Sequence, residues 1–155
     1  MKSISHTKAF TLLVPIAKLF PLFTPEGEKA WVPGWDYENI MGTPGLSEDY
    51  VFLTKKHDHG SSKAIWIVKK YNPTSHFVQY YKIEPETKIG VVSVKCIELE
   101  TAKTEVQVTY KYLSLSKNGD VFVSEFSEKV YENFIGEWQN LLVNYIKIMI
   151  RSKQE

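Results

Sequence analysis

Apolar and polar residues alternate through the segment from 104 to 115. Val106, Val108, Tyr110 and Tyr112 are separated by polar residues, which is the period of a β-strand with one buried face. Similar runs recur along the middle of the chain, at 36–41, 49–57, 63–71, 76–84, 89–100 and 104–115. The connections between them are short and rich in turn residues, and such connections join antiparallel neighbours. The pattern therefore predicts six consecutive antiparallel strands.

The N-terminal region predicts one more strand and two short helices. A strand is expected over His6–Val14, followed by a helix with Pro15 in its first turn. Residues 24–30 predict a second short helix, in which Thr24 is the N-cap, Pro25 follows it and the first turn is acidic. The predicted order is one strand, two short helices and six strands.

The apolar stretch at residues 10–23 has to be weighed as a targeting segment. Pro15, Lys18 and Pro21 interrupt it, and no small-residue cleavage site follows. It is also shorter than the roughly 20 residues that span a bilayer. We therefore expect no membrane insertion and a cytoplasmic location.

The last thirty residues change to a helical period. From about Ser124, the expected N-cap, to Ser152, apolar residues recur every three or four positions, which predicts one amphipathic helix. These positions are Phe126, Val130, Tyr131, Phe134, Ile135, Trp138, Leu141, Leu142, Tyr145, Ile146 and Met149. Such a helix is about 40 Å long and needs a broad apolar surface to pack on. The predicted sheet supplies that surface.

The register of the last hairpin follows from which face is buried. A three-residue turn at Thr101–Lys103 keeps the apolar residues of both strands together, whereas a two-residue turn places Ser93 and Lys95 on that face. The expected register therefore groups Val92, Val94 and Cys96 with Val108, Tyr110 and Tyr112. Strands 63–71 and 76–84 are apolar on both faces, so alternation does not orient them.

Composition and charge narrow the classes of protein. The chain has 155 residues, which suits one domain over residues 1–155, and 43% of them are hydrophobic. A formal net charge of +1 gives no electrostatic reason to expect nucleic acid as a partner. Cys96 is the only cysteine, which excludes an internal disulfide and a cysteine-based zinc site. The one unusual value is the aromatic content of 14%.

Several short motifs accompany this order of elements. They are WVPGWDYE at 31–38, IWIV at 65–68 and TYKYLSL at 109–115, with Gly119 before the long helix. Together they resemble the SRPBCC superfamily of START and birch-pollen-allergen helix-grip proteins, in particular its small bacterial members. The resemblance covers essentially the whole chain. It implies an α+β helix-grip fold, in which a seven-stranded antiparallel sheet wraps round a long C-terminal helix, with two short helices after the first strand.

The resemblance also implies a hydrophobic cavity between the sheet and the helix. Members of the superfamily include lipid and hormone carriers and polyketide cyclases. We therefore expect a small apolar or amphipathic molecule to bind between the sheet and residues 126–146. The expected wall is Trp66, Tyr80, Val94, Val108, Tyr110, Phe134, Trp138 and Leu142. Two alternatives stay open: a cofactor-independent enzyme of cyclase or hydrolase type, and a protein-interaction module with a filled core.

The enzyme alternative requires a carboxylate beside a tyrosine in a dry pocket. Desolvation raises the pKa of such a carboxyl group and suits it to general acid–base work. Glu38 and Tyr110 are the candidate catalytic residues, and Glu84 and Glu98 are further carboxylates on predicted strands. Glu38 has an alternative role, which is to brace the adjacent WVPGW turn.

A metal or cofactor site has weaker support. His57 and His59 share a face if they lie on a strand and can then hold zinc, but Gly60-Ser61-Ser62 follows them and favours a solvated hairpin tip. No phosphate-binding, dinucleotide-binding or metalloprotease motif is present. We therefore expect no metal and no cofactor. Cys96 is expected to be a buried and inert thiol.

Overall fold

The order of helices and strands follows the expected one, with a difference at the C-terminus. The computed structural model describes residues 2–55 and 63–154. Its strands are β1 (Ser3–Leu12), β2 (Tyr37–Glu38), β3 (Val51–Thr54), β4 (Ala64–Asn72), β5 (Phe77–Glu84), β6 (Lys88–Glu100) and β7 (Lys103–Ser114). Its helices are α1 (Ile16–Leu19), α2 (Pro25–Glu28), α3 (Lys117–Glu125) and α4 (Glu128–Gln154), with a 3₁₀ helix at Phe20–Phe23.

All seven strands form one antiparallel sheet, as predicted. The order across the sheet is β1-β7-β6-β5-β4-β3-β2, so the first strand joins the last and the others form a meander. β1 lies over Ser3–Leu12 rather than His6–Val14 because it pairs with β7 along its whole length, from Ser3 opposite Leu113 to Leu12 opposite Thr104. The edge strand β2 is much shorter than expected and covers only Tyr37–Glu38.

The β6–β7 hairpin keeps the predicted face but not the predicted turn. Glu100 pairs with Lys103, which leaves a two-residue turn, and the register shifts between Glu98 and Glu100. A bulge adds one residue to one strand, so it restores the parity that a two-residue turn alone would invert. Val94 therefore lies opposite Val108 and Val92 opposite Tyr110, all on the buried face. The expectation of a three-residue turn at Thr101–Lys103 was wrong.

The predicted long C-terminal helix is α4, which begins at Glu128 rather than at Ser124, and a shorter helix that was not predicted, α3, precedes it. The Ser116 side chain accepts a hydrogen bond from the Gly119 backbone N–H and caps α3, and Ser127 accepts one from the Val130 N–H at the start of α4. Between them Phe126 leaves helical geometry and its side chain is buried. The three-to-four spacing of apolar residues continues through Phe126 because its side chain is buried in the core even though its backbone is not helical.

The core lies between one face of the sheet and α4. The buried residues of α4 are Tyr131, Ile135, Leu142 and Ile146. The Tyr131 hydroxyl donates a hydrogen bond to the Val108 carbonyl and fixes the helix on β7. On the two strands that alternation left unoriented, the buried residues are Ala64, Trp66 and Val68 on β4 and Val78, Tyr80 and Glu84 on β5.

The short helices pack beside this core. Thr24 caps α2 as predicted, and its hydroxyl oxygen accepts a hydrogen bond from the Gly27 N–H at 3.0 Å. The aromatic residues Phe20 and Phe23 of the 3₁₀ helix are buried. Phe23 stacks on Trp138 of α4 with ring centroids 6.2 Å apart, so the N-terminal helices cover one side of the space between the sheet and α4. Among the helices in the described ranges, none has the length and hydropathy needed to cross a membrane.

Candidate functional site

A small cavity lies where the sheet, α4 and the segment around α2 meet. Its volume is about 20 Å³, which is enough for one water molecule. Its wall consists of Pro25, Glu28, Trp35, Phe52, Trp66, Tyr80, Val92, Val94, Tyr110 and Trp138. Aromatic rings dominate this wall, and Glu28 is the one carboxylic acid among these residues.

The rings of the wall pack together within two groups. Phe52 stacks on Trp66 with ring centroids 5.6 Å apart, and Tyr80 meets Trp66 edge to face at 5.9 Å. On the opposite side Tyr110 meets Trp138 edge to face at 6.1 Å. Edge-to-face and offset contacts of this kind are favourable beyond simple burial. Two aromatic clusters therefore face each other across the cavity, one formed by Trp35, Phe52, Trp66 and Tyr80 and the other by Tyr110 and Trp138.

Most of the polar atoms carried by these rings bind groups outside the cavity. The Trp35 indole N–H donates to the Pro25 carbonyl at 2.8 Å, and the Trp66 indole N–H donates to the Thr54 hydroxyl at 3.0 Å. The Tyr80 hydroxyl donates to the Phe23 carbonyl at 2.8 Å. These bonds leave the apolar ring surfaces to form the wall.

Glu28 contributes a carboxyl group to this otherwise apolar and aromatic wall. It is the last residue of α2, and it is half-buried with protein atoms surrounding its carboxyl group. Burial raises the pKa of Glu28 to about 8, and the positive charge of Lys82 on β5 opposes part of that rise. At neutral pH the Glu28 carboxyl is therefore mostly protonated and uncharged.

Tyr110 faces the same cavity from β7. Only 5% of its surface is exposed, and burial raises the pKa of its hydroxyl well above the usual value, with further contributions from Tyr112 and from the charge of Glu28. Within the described part of the chain, neither the Tyr110 hydroxyl nor the Glu28 carboxyl has a hydrogen-bond partner. Both groups therefore remain available to a molecule in the cavity.

Comparison with solved structures identifies the architecture. The chain matches Ara h 8.0201 with a TM-score of 0.67 at 15% identity over 97% of this chain and 99% of that chain. It matches the Zhui aromatase/cyclase from Streptomyces sp. R1128 with a TM-score of 0.64 at 11% identity over 99% and 97%. The chain shares the helix-grip fold with these proteins.

A third helix-grip structure carries small molecules. Norcoclaurine synthase from Thalictrum flavum, in complex with dopamine and hydroxybenzaldehyde, matches with a TM-score of 0.67 at 6% identity over 94% of this chain and 87% of that chain. No protein-family model and no curated protein sequence matches this chain. At these identities the likeness is one of fold, so the predicted helix-grip architecture is confirmed, and the chemistry has to be argued from the chain's own residues.

The structure brings together part of the expected wall. Trp66, Tyr80, Val94, Tyr110 and Trp138 all line the helix-grip cavity. The other three expected residues are core residues behind that wall. Val108 and Leu142 are fully buried, and Phe134 meets the Tyr110 ring edge to face at 5.4 Å.

Glu38, the expected catalytic carboxylate, does not lie at this cavity. It is exposed on β2, opposite Leu53, beside an open surface depression of about 250 Å³ that Asp36, Tyr37 and Lys55 also line. β2 is the edge of the sheet, farthest from β7, so Glu38 and Tyr110 belong to different regions. Their predicted pairing was therefore wrong.

The other two carboxylates considered from the sequence, and the tyrosines Tyr37 and Tyr112, do not line this cavity. Glu98 is exposed, and Glu84 is buried in an ion pair with Lys88. The Tyr37 hydroxyl donates to Glu26 at 2.7 Å outside the cavity. Tyr112 is buried against Phe126 at the other end of the core.

Glu28 is the residue that sequence reasoning missed. The helix dipole favours an acidic residue in the first turn of a helix. Because this explanation was sufficient, it gave no reason to expect that the Glu28 side chain points into the protein. The sequence shows only that Glu28 lies three residues after Pro25, a spacing at which two residues share a helix face. Pro25 is buried and lines the cavity, so that face points inward.

The histidine cluster and Cys96 were the other candidates from the sequence. His57, Asp58 and His59 lie outside the described residues. Over 2–55 and 63–154, no group of three or more potential ligand side chains could hold a metal ion. Cys96 is buried, and burial raises the pKa of its thiol to about 12, which fits the expected inert core cysteine.

Proposed function

We propose that this protein, as one domain over residues 1–155, binds a small apolar or amphipathic molecule between the sheet and α4. The observation that supports the proposal is the aromatic wall, in which Trp66 and Tyr80 on one side and Tyr110 and Trp138 on the other line one cavity. Apolar walls with a few polar groups are the usual composition of small-molecule sites. We place this binding in the cytoplasm, and the net charge of +1 favours no nucleic-acid partner.

Ligand binding has to enlarge the cavity. The observed 20 Å³ holds a single small group, whereas drug-sized ligands occupy sites of a few hundred Å³. Trp35 and Trp138 are the residues best suited to move, because both are only half-buried while most of the wall is fully buried. We therefore expect a ligand to displace the Trp35 and Trp138 rings and to stack on the rings that remain.

The apolar contribution sets the expected affinity. An aromatic ligand that loses about 200 Å² of apolar surface gains about 5 kcal/mol. Moving the tryptophan rings and ordering the ligand subtract from this gain. Simple bicyclic ligands should therefore bind with dissociation constants on the order of 100 µM or weaker.

Two measurements test the proposal. Native mass spectrometry of gently purified protein, followed by denaturation, should release a stoichiometric small molecule, or tryptophan fluorescence should report saturable binding of 2-isopropylnaphthalene. Val92→Phe fills the cavity and should abolish binding. Val91→Phe, on the opposite face of the same strand, is the matched control and should retain it. Absence of both a bound molecule and saturable binding, or equal binding by the two variants, would contradict the proposal.

Glu28 favours a second candidate function, cofactor-independent acid–base catalysis of cyclase or hydrolase type. A carboxyl group with a pKa of about 8 exchanges protons readily near neutral pH. The test is exchange of the methyl protons of 2-acetylnaphthalene in D₂O, followed by NMR. Acceleration over buffer should disappear in Glu28→Gln and persist in Glu38→Gln. No acceleration by the natural protein would reject proton transfer to such a ketone and leave the binding function standing.

A further inference from the structure

The polar groups of the cavity wall fall into two classes. Trp35, Trp66 and Tyr80 use their N–H or O–H groups in hydrogen bonds to Pro25, Thr54 and Phe23. Glu28, Tyr110 and the indole N–H of Trp138, by contrast, have no such partner in residues 2–55 and 63–154; Trp138 is only half-buried, whereas Tyr110 is 95% buried. Buried polar groups without partners are rare in folded proteins, so each one calls for an explanation.

Glu28 and Tyr110 reach the cavity from opposite elements. Glu28 comes from the end of α2 and Tyr110 from the middle of β7, and both line the same 20 Å³. The charge of Glu28 acts on the Tyr110 hydroxyl, which places the two groups within electrostatic range. A volume of that size matches one small polar group rather than a whole ligand.

We propose that Glu28 and Tyr110 act as two hydrogen-bond donors to a single carbonyl or phenolic oxygen of an otherwise apolar, planar ligand. This inference rests on the proposed function, because it assigns the polar contact of the same site. The Glu28 carboxyl and the Tyr110 hydroxyl are the specificity-determining groups, and the aromatic wall supplies the affinity.

The protonation states of the two residues fit this role. Burial keeps the Glu28 carboxyl mostly protonated at neutral pH, and the Tyr110 phenol stays protonated throughout the accessible range. A neutral carboxyl and a phenol that converge in a dry site are a known way to hold a carbonyl or enolate oxygen. The groups that face Glu28 are Lys82 and Tyr80 on β5 and Tyr110 on β7. A positive charge at Lys82 also favours partial negative charge on the ligand oxygen.

The same groups disfavour a cationic ligand. An ammonium ligand needs a carboxylate, but Glu28 gives up its proton only above neutral pH. Lys82 already brings a positive charge to this side, with its Nζ 5.4 Å from the centre of the Trp66 ring. A second cation beside it would be repelled.

The experiment compares two ligands of similar shape. The first, 2-acetylnaphthalene, carries a carbonyl oxygen, and 2-isopropylnaphthalene replaces it with a methyl group. We expect the natural protein to bind the ketone about tenfold more tightly at pH 6. Tyr110→Phe and Glu28→Leu should each remove most of this preference while retaining 2-isopropylnaphthalene binding, which also shows that the variant is folded.

A pH series distinguishes Glu28 from a generic polar wall. The affinity of the natural protein for the ketone should fall about tenfold between pH 6 and pH 9.5 as Glu28 loses its proton. Glu28→Gln keeps a donor that does not titrate, so its preference should be independent of pH. The matched controls are Glu26→Gln and Tyr37→Phe, a carboxyl and a phenol bonded to each other outside the cavity, and both should behave as the natural protein does.

Each outcome has a distinct meaning. If neither ligand binds, the proposed function fails together with this inference. If both bind equally, or if the preference survives in Tyr110→Phe and Glu28→Leu, the two-donor site is overturned and apolar binding stands. If the ketone preference is present but does not change with pH in the natural protein, Glu28 is not its neutral donor and the inference is likewise overturned.

Discussion

Two carboxyl groups of this core, one fully buried and one half-buried, differ in their surroundings. Glu84 is 2% exposed and forms an ion pair with Lys88 at 3.0 Å, directly across the β5–β6 hairpin. The Lys88 Nζ in turn lies 4.0 Å from the centre of the Phe122 ring. Glu28 has no ion pair or hydrogen bond in the described residues and lines a cavity instead.

The difference separates a structural carboxylate from a candidate functional one. A buried charge persists when a partner of opposite charge and further favourable contacts compensate for its lost hydration. Without such compensation a carboxyl group takes up a proton, as the raised pKa of Glu28 indicates. The Glu84 carboxylate is compensated by the charge of Lys88, although its Oε2 accepts no hydrogen bond, whereas Glu28 has neither an ion pair nor a hydrogen bond in the described residues. Substitutions at Lys88 and at Glu28 should therefore change stability in opposite directions.

Removal of the partner of Glu84 should have the largest effect. Lys88→Met leaves the Glu84 carboxylate buried and unpaired, which should lower the free energy of unfolding by about 3–5 kcal/mol. Urea denaturation measures this change. Lys95→Met, an exposed position on the same strand, is the control and should change stability by less than about 0.5 kcal/mol. Stability of Lys88→Met equal to that of the control would show that the ion pair is not structural.

The corresponding change at Glu28 should stabilise the protein. Glu28 has a pKa of about 8 when folded and about 4.3 when unfolded, so between these values the folded state binds more protons. Stability of the natural protein should therefore fall as pH rises from about 4.5 to 8, by at most about 1.4 kcal/mol per pH unit, and should level off above.

Glu28→Gln removes this pH dependence and should be more stable than the natural protein by about 1–3 kcal/mol at pH 7. Urea denaturation between pH 5 and pH 9 measures both effects. Glu38→Gln, at an exposed carboxylate, should leave the pH profile unchanged. A flat pH profile for the natural protein would mean that Glu28 is ionised and solvated in the folded state.

The tyrosines at the cavity provide a smaller contrast of the same kind. Tyr80→Phe removes the hydrogen bond to the Phe23 carbonyl and should cost about 1–2 kcal/mol. Tyr110→Phe removes a hydroxyl without a partner in the described chain and should cost less than about 0.5 kcal/mol. Thermal or urea unfolding of the two variants checks the order. Equal losses would mean that the Tyr110 hydroxyl is already engaged.

The sequence was sufficient for the architecture because each element has its own periodicity. The alternation in β7 and the three-to-four spacing in α4 record which faces are buried, so the sheet, the helix and the wall residues Val94, Tyr110 and Trp138 could be predicted from periodicity. Trp66 and Tyr80 lie on β4 and β5, which alternation does not orient, and were expected from the resemblance. The start of the C-terminal helix was predicted too early, at Ser124, because Phe126 has the apolar spacing of a helix although its backbone is not helical. The bulge at Glu98–Glu100 likewise escaped detection because it preserves the buried face.

The polar part of the site could not be predicted in the same way. Glu38 follows a conspicuous motif, yet it belongs to an edge strand that tertiary structure keeps at the surface. Glu28 lies in a one-turn helix, where the direction of a side chain depends on how the helix docks rather than on a repeating pattern. Only the arrangement of α2 against β5 and β7 reveals that Glu28 faces Tyr80 and Tyr110.

The smallest expected effect concerns the charge next to Glu28. Lys82 opposes the rise in the Glu28 pKa, so Lys82→Met should raise that pKa further, by less than the contribution of burial. The carboxyl resonance of Glu28, assigned by its loss in Glu28→Gln and followed by NMR from pH 5 to pH 10, measures the midpoint. Lys69→Met is a matched control, because Lys69 lies over the Tyr81 ring as Lys82 lies over the Trp66 ring. An upward shift in Lys82→Met alone would identify Lys82 as the charge that tunes Glu28, whereas equal midpoints in both variants would leave burial as the whole cause.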